Sequence, residues 1–251
     1  MRPCTIFHTL SEDHERLLLD SAQGDLPGVA FLDRAADELF RVAQEANGTH
    51  APSDAPPGWG ISAHVARVAA AMALRNGRAI GLLVSSGYGV EAAGLVRRLG
   101  EIAQHAIGCA TDPTGTYAKN WGERAGKAGK PSSAYVRGTA DPRSIREKWD
   151  FLSGMEHATL SPYLNLMCSQ DERGEIVHPV QPARHQAADA IALSSAAWDL
   201  VRTAVAVCQA HGLDTAQTLA LGQELHDSQA ASDALADDWA GTRDREMRSA
   251  G

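Results

Sequence analysis

Within LVRRLGEIAQHAIG, residues 95 to 108, three side chains that can do chemistry recur at helical spacing. Arg98, Glu101 and His105 stand at +3 and +7, so a helix stacks them on one side. Imidazole exchanges a proton near neutral pH and guanidinium holds a phosphate, which together amount to ribonuclease chemistry without a metal. Glu101 and His105, at i,i+4, can instead share a metal ion, and His185 and Asp189 repeat that spacing. The third reading is a clasp between helices, because charges bordering an apolar face pair with neighbours rather than stay uncompensated.

A helical wheel at about 100° per residue sorts this helix. Ala92, Leu95, Val96, Leu99, Ile102, Ala103 and Ala106 form its buried face. Arg97, Gly100 and Gln104 point away from the centre of that face, and Arg98, Glu101 and His105 lie on the border. The spacing Arg98…His105 fits the R-x(4–6)-H signature of HEPN domains, helical bundles many of which cut RNA. In that reading His105 transfers the proton and Arg98 holds the phosphate, with two chains pairing their sites across a homodimer. The metal reading is weaker. A di-iron bundle needs two helical E-x-x-H motifs, whereas Glu175–His178 is the one E-x-x-H here and falls on an expected strand. There, i,i+3 puts the two side chains on opposite faces. Gly87, Gly89 and Ala92 spell G-x-G-x-x-A, but a dinucleotide site needs a strand before the glycines, and the preceding pattern is helical. No cofactor or metal is expected.

Composition narrows the class. The chain has 251 residues, enough for a core without disulfide or metal staples. Its four cysteines, Cys4, Cys109, Cys168 and Cys208, are far apart, which fits a reducing cytoplasm. No signal-peptide pattern opens the sequence, and no window reads as a membrane span. A net charge of −8 argues against broad nucleic-acid binding. The charge is uneven, however. Eight Lys/Arg against three acids between Lys119 and Lys148 form a basic stretch that could guide RNA. Seven acids against three Arg follow from Glu224 to Gly251.

The elements that must position these residues are mainly helices. Thr9-Leu-Ser-Glu12 is a capping box opening a helix to about Ser21, and Pro27 begins a second that stops at Asn47-Gly48. THAPSDAPPGWG (49–60) is a loop. A helix follows with the apolar stripe Ile61, Val65, Val68, Met72, Ala79 and Leu83, with Asn76-Gly77 as a break or kink. GYG (87–89) turns into the helix to about Ala110, a short helix is centred on Tyr117 to Lys127, and Asp141-Pro142 starts another. YLNLMCS and EIVHPV read as a small β-hairpin near 163–180. A long helix then runs from about 183 to 211, with stripe positions Ile191, Ser194, Trp198, Val201, Val205 and Cys208, and Asp214 caps the last helix. The expected fold class is mainly α, a helical bundle with one small hairpin. The chain divides into N-terminal helices and a Pro-rich loop (1–60), a core bundle (61–231) and an acidic tail (232–251).

GYGVEAAGLVRRLGE and LSGMEHATLSP together resemble an uncharacterised bacterial family of helical domains. Its members carry E-A-x-x-L-x-R-x-L-x-E, then Leu-Ser…His, a small hairpin and a long helix. The first motif falls on Glu91, Ala92, Leu95, Arg97, Leu99 and Glu101, the second on Leu152, Ser153 and His157, and the likeness covers about residues 61–210. It implies a bundle whose Arg, Glu and His meet at a polar centre, and no set activity. Gly100 departs from the bulky apolar residue usual at its place, and His105 lies outside the motif. The match pairs Arg97, rather than Arg98, with Glu101. Arg97 and His105 are separated by seven residues, outside the HEPN range.

The expectation is therefore a cytoplasmic helical-bundle protein with a binding or regulatory role. Arg97 or Arg98, Glu101 and His157 form its polar cluster, with His105 nearby. The alternative is a HEPN-like ribonuclease of a toxin or defence setting, with Arg98 and His105 catalytic; a metal-binding bundle comes third.

Overall fold

The computed structural model describes residues 27–50, 54–112, 114–123, 169–170, 176–177 and 186–228. Among them, α1 spans Pro27–Asn47, α2 Trp59–Ser85, α3 Ala92–Thr111, α4 Thr116–Glu123 and α5 Gln186–His211. A last helix, α6, covers 216–228. The architecture is mainly α.

Helix ends follow local chemistry. Gly87 closes α2 at φ +84°, with Tyr88 N–H donating to Leu83 O and Gly87 N–H to Val84 O. This is a Schellman cap, which needs a left-handed residue that glycine adopts without strain. Gly212 repeats it after α5, at φ +65°. The Asp214 carboxylate accepts from Ala216 N–H at 3.0 Å to open α6.

α5 is the axis of the bundle and packs against α1, α2 and α3. It is buried nearly all round, from Ala192 and Leu193 through Leu200, Thr203 and Ala204 to Cys208. The one-sided stripe expected for it is thus incomplete, and Ile191 at the head of that stripe is exposed. A helix covered by three others has no solvent face on which polar residues could mark a period. The same property corrects the membrane expectation. Asp189–His211 is long and apolar enough to cross a bilayer, at hydropathy 1.4, yet 72% of that window is buried inside the bundle.

α2 is rotated from its expected orientation, so that Val65, Met72 and Leu83 of the expected stripe pack only at the edge of the core. Its core face is the small-residue one, Ala63, Ala66, Ala69, Ala70, Ala73 and Gly77 with Ile80 and Val84, whereas Ile61 and Val68 of the bulky stripe are exposed. Small side chains let backbones approach. A Cβ on Gly77 would stand 3.0 Å from Leu200 Cδ1, so this glycine is a contact point for α5. α2 runs unbroken through it, so Asn76-Gly77 does not end the helix.

Leu32, Leu39 and Val42 of α1 stand in the same buried cluster as the α2, α3 and α5 residues. A division at residue 60 therefore separates chain segments but not cores. Polar clasps join the layers. Buried Glu38 of α1 accepts from Thr218 Oγ1 at 2.5 Å and Gln217 Nε2 at 2.9 Å on α6, and from Arg41 at 2.6 and 2.8 Å. His211 lies 2.6 Å from Thr49 Oγ1 and 3.0 Å from Ala63 O, with Trp59 edge-on.

In the region of the expected hairpin, two two-residue strands, β1 (Ser169–Gln170) and β2 (Ile176–Val177), pair antiparallel. Two residues a side make no sheet layer, and the small hairpin does not count as an element of the fold. The rest of 163–180, the capping box at Thr9, the helix start at Asp141 and the acidic tail 232–251 lie outside the described residues.

Candidate functional site

α3 carries the chemistry-bearing residues and is wedged between α2 and α5. Two partners bury more of it than its apolar face implies. Gly100 and Gln104, expected to point away from the core, are buried, and Gln104 meets α5. Gln104 Oε1 accepts from Arg202 of α5, and Arg202 donates to Asp199 at 2.9 Å. Asp199 carries only 10% side-chain exposure and Arg202 15%. This stripe is a charge pair held by a neutral amide, the arrangement that lets an ion pair tolerate burial.

Arg97 and Glu101 meet at 3.6 Å, one turn apart. The contact is the one the family pattern suggests, but Glu101 is 42% exposed against 20% for Arg97. It lies on the rim rather than in a packed interior. Arg98 is exposed on the next position. His157 lies outside the described residues, as does the basic stretch 119–148 beyond residue 123.

His105 goes elsewhere. Asp112 ends α3 and starts α4, accepting from Thr114 Oγ1 at 2.6 Å, Thr114 N–H at 2.9 Å and Tyr117 N–H at 2.6 Å. Those bonds hold its carboxyl below the usual range. Ser62 Oγ of α2 donates to Asp112 O at 2.8 Å and anchors the turn. α4 consequently folds back along α3 and presents Tyr117 and Trp121, one turn apart. Tyr117 Oη is 3.0 Å from His105 Nδ1. Trp121 stacks on the imidazole with ring centroids 4.3 Å apart and planes 12° from parallel.

Burial sets the protonation of this group. Desolvation lowers the His105 pKa below its ordinary value, so the ring is neutral at pH 7. Burial, with a smaller push from Cys109, raises the Tyr117 phenol to about 12. A phenol kept protonated can donate to Nδ1 and leave the imidazole proton on Nε2. Cys109, buried one turn from His105, is pushed up to about 12, chiefly by desolvation and then by Asp112; it is an inert thiol.

The structure thus brings Arg97 to Glu101 and does not bring Arg98 to His105. Among the described residues no three His, Cys, Asp or Glu side chains converge as ligands, and Glu101 and His105 turn to different partners. Gly87, Gly89 and Ala92 form a helix–turn–helix link with no strand before it. No family model, curated protein or solved structure matches this chain.

Sequence reasoning missed Tyr117, Trp121, Gln104 and Arg202. The i,i+4 spacing of Tyr117 and Trp121 on a short helix was the available signal. For Gln104 and Arg202 there was none, since they lie nearly a hundred residues apart. A concave region lies between α1 and α6, a cleft of about 350 Å³ lined by Arg34, Asp37, Arg41, Gln217, Leu221 and Glu224 among others. Its charges pair across it, as in Arg34–Glu224 at 2.6 Å.

Proposed function

We propose that this chain is a helical-bundle protein with a binding or regulatory role, and not a ribonuclease. One observation carries the reading. Metal-independent RNA cleavage needs an imidazole and a guanidinium on one phosphate, whereas Arg98 is exposed and His105 is turned under α4 onto Tyr117 and Trp121. The pairing of Arg97 with Glu101, and of Arg202 with Asp199 and Gln104, supports the same reading. It leaves those cations committed to architecture.

The HEPN-like ribonuclease is the second reading, favoured by one feature. The Tyr117 hydroxyl fixes one nitrogen of His105, as an oriented acid–base group requires. In it two chains pair their sites and the basic stretch guides RNA. Incubating the purified full chain with single-stranded RNA at physiological salt separates the two. The binding reading expects no cleavage above that of folded His105→Ala and Arg98→Ala variants. Cleavage by the wild type that either substitution abolishes overturns it.

A further inference from the structure

The cleft between α1 and α6 carries charges and acceptors that the packing of those helices does not use up. Arg34, Asp37 and Arg41 stand at +3 and +7 along α1, and Gln217, Leu221 and Glu224 at +4 and +7 along α6. The bonds Arg34–Glu224 and Gln217–Glu38 set the two helices antiparallel, with Asp37 in the interval between them.

Glu38, 4% exposed, is the buried member of the lining. It accepts from Arg41 Nε and Nη2, from Gln217 and from Thr218, which fills the carboxylate. Arg41 Nη1 donates to Glu45 at 2.5 Å, and Arg34 Nη2 to Glu224 at 2.6 Å. Both guanidinium charges are thus matched. Asp37 is not. It is exposed, and among the described residues it has no hydrogen bond or ion pair, because both flanking arginines turn to other carboxylates. Gln217 keeps an acceptor as well: Glu38 engages its amide nitrogen, and among the described residues Oε1 has no donor.

We propose that this cleft binds an aliphatic polyamine of the spermidine type, lying along it. Its ammonium groups meet Gln217, Asp37 and Glu224, and its methylenes lie against Ala220 and Leu221. Three carboxylates line the cleft against two guanidiniums, and Glu45 adds a fourth at Arg41, so a cation is attracted and an anion repelled. The acceptors are also spread out, since Gln217 and Glu224 are seven residues apart, about 10 Å along a helix. Among the described residues no three carboxylate, imidazole or thiol groups converge. A compact metal ion therefore lacks its ligands, whereas an elongated cation reaches each acceptor in turn. A volume of about 350 Å³ admits such a molecule. Arg34 and Glu224 are 52% and 56% exposed, so their bond is screened and an ammonium can take the place of the guanidinium. His105 and Arg98 belong to α3, and this site stands or falls apart from the ribonuclease question.

Isothermal titration calorimetry of the full chain with spermidine tests this, at about 0.1 M salt to screen diffuse attraction. One saturable site per chain is expected. Asp37→Asn weakens binding by about tenfold or more, and Glu224→Gln by a smaller factor. Arg34→Ala tightens it by removing the competitor for Glu224. All three positions are exposed, and thermal melts check that each variant stays folded. Absence of saturable binding in the wild type overturns the proposal. So does binding that survives Asp37→Asn combined with Glu224→Gln, or that an equal charge of magnesium abolishes, since either belongs to the general attraction of a chain of net charge −8. Tighter binding of succinate or inorganic phosphate than of spermidine assigns the cleft to anions and also overturns it. Weaker binding in Arg34→Ala refutes the exchange of Glu224 from guanidinium to amine.

Discussion

Gly108 lies directly beneath the ring of Tyr117, so close that a Cβ on residue 108 would collide with the phenol. The missing side chain lets α4 lie against α3 and carries the Tyr117 hydroxyl to His105, one turn away. Gly108→Ala should gain about 1 kcal/mol of helix propensity. It should lose more by displacing Tyr117, for a net destabilisation of about 1–2 kcal/mol. Thermal melts check the sign, and the imidazole NMR signals of His105 should shift as its hydrogen bond and stack break.

Glu101→Ala should be nearly silent. Its pair with Arg97 is long, at 3.6 Å, and Glu101 is 42% exposed, so solvent screening limits it to about 0.2–1 kcal/mol. A buried clasp of the kind the sequence suggests would cost several times that. Urea denaturation of the variant distinguishes them, because loss of more than about 2 kcal/mol belongs to a buried pair.

Glu38 is the buried carboxylate that matters for stability. Burial alone would raise its pKa, but hydrogen bonds from Arg41 and Thr218, with the charge of Arg41, outweigh that and hold it below the ordinary value. Glu38→Ala should cost about 1–3 kcal/mol, chiefly by leaving the buried Thr218 hydroxyl unsatisfied. Thr218→Val should cost about 1 kcal/mol. The double variant should lose less than the sum, because both act on one network. A double-mutant cycle in denaturant measures the coupling.

Acid should destabilise the fold through its histidines. Desolvation lowers His105, and desolvation with the nearby Arg67 charge lowers His211 against the opposing pull of the Ala63 carbonyl. The unfolded chain protonates both near 6.5 and the folded chain only below that. Stability from the neutral rings is therefore complete above about pH 6.5 and lost as pH falls through the folded values. Melting temperatures between about pH 7.5 and about pH 5 should fall in the wild type. The fall should be shallower in His105→Phe, which keeps the stack on Trp121 and removes the titrating group.

Much of the fold was legible because it is written in local chemistry. Pro27 starts α1, Asn47-Gly48 ends it, Gly212 closes α5 and Asp214 caps α6. The pair Arg97–Glu101 was legible too, since i,i+4 is a distance that one helix fixes. What failed was the choice of face. On α2 the bulky residues suggested the core side, yet close packing against α5 favoured the alanines and Gly77. On α3 the wheel sent Gln104 outward, because a single helix cannot show that Arg202 waits on another.

The sequence by itself determined a mainly helical chain, where most of its described helices begin and end, and that Arg98, Glu101 and His105 share a side of α3. Tertiary structure alone decided what those three residues do. The turn at Asp112 folded α4 back and gave His105 to Tyr117 and Trp121, while Arg98 stays exposed. Helical periodicity specifies direction about one axis, whereas a neighbour depends on how several axes pack. That packing is set by small-residue contacts and buried hydrogen bonds between segments far apart in the chain.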